Sequence, residues 1–149
     1  MSIAKISYFL DLLDIKIVEL NAGNAVLSLT ATEKHTRSLG IMHGGVLATL
    51  IDSAMGISVT SLAPPDHYSV TVQMNVNFIR PAWPGESLIA NGEVKHNGRQ
   101  TAVAYSEVRT PAGVLVASGT GTFLYLKHTD SSRSKIEQLP DSTIAKPVN

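Results

Sequence analysis

The chain has 149 residues, the length of one domain that can bury a core without staples. Hydrophobic residues make up 44% and charged residues 16%, and twelve basic residues balance twelve acidic ones, so no net field recruits nucleic acid or anionic lipid. Cysteine is absent, which excludes a disulfide framework, a thiol nucleophile and thiolate metal sites.

The opening MSIAKISYFLDLLDIKIVEL carries acidic residues within its apolar run and no small-residue cleavage site. It does not read as a secretory signal, and cytoplasm is the expected compartment. Ile3, Ile6, Phe9, Leu10 and Leu13 recur at helical spacing and predict a short amphipathic helix over 3–13. IKIVELNAGNAVLSLTAT then reads as two strands joined at Ala22-Gly23. Residues 36–42 read as a loop leading into IMHGGVLATLIDSAMGISVTSLAPP, a long apolar segment whose single charge is Asp52. A membrane span is the weaker reading of that segment, because Asp52, Gly56 and several hydroxyl residues interrupt it. A buried helix ended by Pro64-Pro65 is the better one.

SVTVQMNVNF alternates strictly, so Val70, Val72, Met74, Val76 and Phe78 are expected on one face of a strand. Ser69, Thr71, Gln73, Asn75 and Asn77 fall on the other, an uncharged polar face of the kind that is shielded or turned toward a ligand. Pro81 and Pro84-Gly85 break the strand. ESLIANGEVKH and QTAVAYSEVRT flank Asn97-Gly98, a strong hairpin signal, and Pro111-Ala112-Gly113 turns the chain into VLVASGTGTFLYL. Residues 1–126 therefore form the domain, and 127–149 are expected to be a mobile or loosely docked polar tail. One long helix followed by a meander points to an α+β fold in which the helix packs on one curved antiparallel sheet. The helix is apolar nearly all round, so one sheet cannot cover it, and a subunit interface would complete the burial.

Two features carry chemistry. Gly44 and Gly45 stand at the helix start, where N–H groups lack intrahelical partners and the helix dipole is positive, and without a Cβ they let a ligand approach. That makes a hole for a developing oxyanion; the alternative reading of a glycine pair here is a tight turn. Asp52 lies about two turns further on, placed to act as base or nucleophile, or else as a hydrogen-bonded structural carboxylate. The histidines at 35, 43, 67, 96 and 128 show no ligand spacing, so no metal is expected. GxSxG, GxxxxGK[ST] and GxGxxG are all absent.

GIMHGGVLATLIDSAMG, SVTVQMNVNFIRPAWPGESLIANGEVKHNGRQTAVAYSEV and GVLVASGTGTF together resemble the hotdog-fold acyl-CoA thioesterases, in the phenylacetic acid degradation (PaaI-like) and acyl-CoA thioesterase 13-like branch. The resemblance covers roughly residues 5–126. It implies a long helix wrapped by about six antiparallel strands, subunits paired edge to edge with active sites at the dimer interface, and a homotetramer. It implies hydrolysis of medium-chain or aryl-acyl CoA with no cofactor beyond the CoA of the substrate. Carried over by position, the Gly44 N–H would polarise the thioester carbonyl, with Gly45 beside it. Asp52, from the other subunit, would be the catalytic carboxylate, Thr71 would assist the water or the carboxylate, and His43 would orient the loop. Arg80 and the Asn97-Gly98-Arg99-Gln100 turn are the implied contacts to CoA. The chain departs from the pattern at Arg37, where relatives carry asparagine or glutamine; this arginine could pair with Asp52, hold a substrate carboxylate, meet a CoA phosphate or face solvent. A non-catalytic acyl-CoA-binding protein and a hotdog hydratase or dehydratase are the rival readings.

Overall fold

The computed structural model describes residues 7–129. In chain order it contains α1 (Tyr8–Leu12), β1 (Lys16–Asn21), β2 (Asn24–Thr30), α2 (Gly44–Thr60), β3 (His67–Phe78), β4 (Ser87–Asn97), β5 (Thr101–Arg109) and β6 (Leu115–Lys127). A 3-10 turn at Glu33–His35 precedes α2. The strands form one six-stranded antiparallel sheet in the order β1-β2-β4-β5-β6-β3, and α2 lies across its concave face. This is the α+β, helix-on-sheet arrangement expected from the sequence. Of the predicted first helix, Tyr8–Leu12 is helical, while Ile3 and Ile6 lie outside the described residues. Most of the tail, from residue 130, lies outside them too.

The core forms where α2 presses on the sheet. Val46, Leu47, Leu50, Ile51, Ala54, Met55 and Val59 are buried against Leu27, Leu88, Ala104, Val108 and Phe123, among others. The helix comes closest over Gly92 of β4, where a Cβ would stand 2.2 Å from the Ala54 carbonyl oxygen, and only glycine fits. Thr49, Asp52, Ser53, Gly56, Ile57 and Thr60, on the other side of the helix, are half-buried.

Two expectations are corrected. The first concerns β3. Its pairing with β6 runs Thr71↔Phe123 and then Gln73↔Thr122, so Val72 is an extra residue in a β-bulge. A one-residue slip reverses which side chains face the core. Before the bulge Thr71 faces α2, opposite the buried Phe123; after it Met74, Val76 and Phe78 take that face, opposite Gly121, Gly119 and Ala117. Thr71 therefore shares a face with the apolar residues from which strict alternation would separate it, and Val72 is left 61% exposed.

The second concerns the β4–β5 turn. Asn97 is the last residue of β4 and pairs with Ala102, and the Gly98 N–H donates to the Thr101 carbonyl at 2.8 Å. The chain reverses at Arg99-Gln100, not at Asn97-Gly98. The cause is tertiary: the Tyr125 hydroxyl of β6 donates to Asn97 Oδ1 at 2.7 Å and holds that residue in the ladder.

Candidate active site

The site is built at the start of α2. His43 is its N-cap, with extended backbone, and its Nδ1 accepts the Gly45 N–H at 2.8 Å. A Cβ on residue 45 would stand 2.9 Å from that same nitrogen, so the cap itself requires glycine there. Because Nδ1 is the acceptor, the neutral ring carries its proton on Nε2. The Val46 N–H donates to the His43 carbonyl, whereas the Gly44 N–H has no acceptor among the described residues. Of the two glycines, Gly44 is thus the one with a donor to offer, in the positive field of the helix start.

The loop that delivers His43 is held from below. The buried His35 donates from Nε2 to the Leu13 carbonyl at 2.8 Å and accepts the Thr32 N–H on Nδ1 at 2.9 Å. Its own carbonyl takes the His43 N–H at 2.8 Å. His35, through its ring and its backbone carbonyl, therefore ties the end of α1 to the residue that caps α2. Nothing in the sequence singles out His35 among the five histidines except the Thr-x-x-His spacing at the 3-10 turn.

Asp52 lies two turns along α2, half-buried, and Thr71 Oγ1 donates to its Oδ1 at 2.7 Å. This contact exists because the Val72 bulge turns Thr71 toward the helix. No ion pair among the described residues includes Asp52 or Arg37. The carboxylate therefore keeps its second oxygen for other chemistry. Arg37 is exposed in the loop whose backbone closes on itself from Arg37 N–H to the Ile41 carbonyl.

The remaining predicted residues separate into two groups. Arg80 is exposed just beyond β3, and the Met42 N–H donates to the Ala82 carbonyl, so Arg80 and Arg37 belong to the Gly44 end. The Gly98-Arg99-Gln100 turn lies at the opposite end of α2, where the Tyr125 hydroxyl touches both Asn97 and, at 3.3 Å, the Val59 carbonyl. Burial there pushes the Tyr125 phenol above its usual pKa. A 17-residue helix is about 25 Å long, so within one chain these two groups do not converge.

One site residue escaped the sequence reading. The Phe78 ring lies against Gly44: a Cβ on that glycine would sit 3.3 Å from Phe78 Cε1 and 3.5 Å from Cζ. The ring is nevertheless 56% exposed. Among the described residues no group of three or more His, Asp or Glu side chains could hold a metal ion, and no helix is long and apolar enough to cross a membrane.

Residues 39–117 match the family described as the thioesterase superfamily. Human (Homo sapiens) acyl-coenzyme A thioesterase 13 is 32% identical over 111 residues, covering 72% of this chain and 77% of that protein. The solved structure of the E. coli PaaI protein from the phenylacetic acid degradation operon superposes with a TM-score of 0.77 at 28% identity, covering 83% of this chain and 87% of its own. The structure of smu.793 from Streptococcus mutans UA159, bound to acetyl CoA, superposes with a TM-score of 0.71 at 25% identity, covering 78% and 91%.

Proposed function

The chain belongs to the thioesterase superfamily, and we propose that it hydrolyses the thioester of a medium-chain or aryl-acyl CoA to the free acid and CoA, in the cytoplasm. The observation that carries this reading is the Thr71–Asp52 contact: a hydroxyl aims a half-buried carboxylate that has no ion-pair partner among the described residues. Thr71 holds Oδ1, so Oδ2 is the oxygen that works. It either takes a proton from a water that adds to the carbonyl carbon, or adds to that carbon itself to give a mixed anhydride that water opens. In both routes the carbonyl oxygen gathers negative charge, which the Gly44 N–H stabilises at the positive end of α2. The C–S bond then breaks, and the CoA sulfur leaves as a thiolate that takes up a proton.

Helix geometry favours a second subunit for this chemistry. Gly44 and Asp52 are eight residues apart on α2, about 12 Å along its axis, whereas reacting groups must meet within about 3–3.5 Å. Gly44 of one subunit and Asp52 of another would satisfy both. The free margin of β3 supports that pairing: it is a twelve-residue outer strand without proline or lysine, the residues that commonly blunt such edges. Two such dimers would make the homotetramer. In such a pairing Arg37 and Arg80 of one subunit and Gly98, Arg99 and Gln100 of the other would be the candidates to contact one CoA.

Thiol release from acetyl-, octanoyl-, palmitoyl- and phenylacetyl-CoA tests the reading in wild type and Asp52→Asn. Removing the catalytic carboxylate is expected to lower kcat by about 10²–10⁴ with little change in KM. Near-normal turnover in the variant would end the assignment of Asp52. Acyl-CoA binding without thiol release in the wild type would identify a non-catalytic acyl-CoA-binding protein instead.

A further inference from the structure

We propose that Phe78 is a specificity-determining residue: its ring is the wall on which the hydrocarbon next to the thioester carbonyl rests. This inference builds on the thioesterase reading and names the part of the site that reads the acyl group.

Phe78 reaches the site through a chain of local causes. The Val72 bulge places Phe78 on the helix side of β3, and its partner across the sheet is Ala117, whose small, buried side chain leaves the ring room to lean over the start of α2. There the ring carbons line the side of Gly44, within 3.3–3.8 Å of where a Cβ would be. A side chain at residue 44 would push against the ring, so glycine here leaves both the N–H and the ring face uncovered. A ring packed to fill the core would be buried, yet this one is 56% exposed, and the following Ile79 is 53% exposed. Large apolar side chains left open beside an unpartnered N–H donor present two demands on one ligand: an acceptor oxygen and, next to it, apolar surface.

A thioester carbonyl has such surface on one side only. Its acyl side is hydrocarbon, whereas the pantetheine arm on the sulfur side carries amides that need polar partners. Phe78 and Ile79 offer no side-chain hydrogen-bonding group, so the geometry matches the acyl side. Contact of this kind is made equally in the bound and transition states, and its loss raises KM more than it lowers kcat.

The test uses the full chain as wild type, Phe78→Ala and Phe78→Leu, with acetyl-, butyryl-, octanoyl- and phenylacetyl-CoA. In Phe78→Ala the ratio of kcat/KM for octanoyl- or phenylacetyl-CoA to that for acetyl-CoA should fall at least tenfold, chiefly through KM. Phe78→Leu should restore most of the ratio. Unfolding midpoints should stay close to wild type, since the ring is more than half exposed. An unchanged ratio in an active Phe78→Ala enzyme overturns the inference and leaves hydrolysis standing. If the wild type releases no thiol, hydrolysis fails, and calorimetry with S-alkyl-CoA thioethers then decides for Phe78. Chain-length-dependent weakening in Phe78→Ala supports the wall, and uniform or no weakening overturns it.

Discussion

Two glycines, one in the sheet beneath α2 and one within α2, are expected to respond to alanine with opposite signs. Gly92 pairs with Ala25 on one side and Ser106 on the other, beneath the closest approach of α2. A Cβ there would lie 2.2 Å from the Ala54 carbonyl oxygen, 2.3 Å from its carbon and 2.8 Å from the Met55 nitrogen. Carbon–oxygen contacts are ordinarily about 3.3–3.6 Å, so the helix would have to lift by roughly 1 Å. Every crowded atom is backbone, with no rotamer to yield, which puts Gly92→Ala at or above the upper end of the usual overpacking cost of about 1–3 kcal/mol. Gly56, inside α2, is the reverse case. Its added methyl would meet only Phe123 Cε1, at 3.5 Å, an ordinary contact. Alanine is about 0.8–1 kcal/mol better than glycine in a helix interior, so Gly56→Ala should stabilise.

The two variants should therefore differ by about 4 kcal/mol, which at this chain length is roughly 10 °C or more in Tm. Thermal and urea unfolding followed by circular dichroism at one fixed protein concentration measures both, the concentration being held because assembly couples to stability. Gly92→Ala within about 0.5 kcal/mol of wild type, or Gly56→Ala below it, would refute the packing logic. Activity adds a check. Ala54 is two residues from Asp52, so a lifted helix should lower kcat in Gly92→Ala even where the protein remains folded.

Three other outcomes follow from particular contacts. Thr71→Val removes the hydroxyl that donates to Asp52 while keeping the shape, and a hydrogen bond to a charged group contributes about 1.5–3 kcal/mol. Its kcat/KM should fall by roughly 10- to 150-fold, while an unchanged value in the acyl-CoA assay would remove Thr71 from the mechanism. Ser106 Oγ is fully buried with no hydrogen-bond partner among the described residues, so Ser106→Ala should leave stability unchanged or raise it by about 1 kcal/mol or more in urea melts, and a clear loss would show a hidden bond. The Arg109 guanidinium and then the Tyr105 hydroxyl hold the Glu107 carboxyl below the usual carboxylate range. A depressed carboxylate stabilises the fold above its unfolded pKa and loses that contribution as pH falls through the folded one. Melting wild type and Glu107→Gln from neutral into the acid range should show the gap between them closing as pH drops; a gap that does not depend on pH would contradict the ion pair.

Much of the architecture was legible because its signals are local. The helical run from Gly44, the turn at Gly23 and the four later strands all follow from periodicity and breakers within a few residues. Asp52 and Gly44 stood out for the same reason, a lone charge and a glycine pair in an apolar helix. What the chain hid depends on neighbours remote in sequence. The alternation of β3 runs unbroken through its bulge, and only β6, with Gly119, Gly121 and Phe123 turned to the helix, decides which residues face inward. Asn97-Gly98 has turn chemistry, but a tyrosine 28 positions later holds Asn97 in the ladder. His35 matters through Leu13 and His43, and Phe78 through Gly44, pairings no window of sequence contains.

The bulge at Val72 also constrains how this segment can change length. Outer strands near a surface ordinarily accept insertions and deletions with little harm. Between Thr71 and Phe78, however, both ends must look the same way, although they are an odd number of residues apart. A single residue gained or lost there while the bulge stays would turn one end outward, disarming either the carboxylate or the wall beside Gly44, whereas deleting the bulged residue itself restores regular alternation and leaves both ends facing inward. Functional relatives should therefore align across these eight positions without gaps, with gaps in pairs, or with one gap where the bulge is absent. In a directed-evolution library that varies the length of β3 by one, active members should be confined to those that have lost the bulged residue, while substitution libraries of the same stretch are not so restricted.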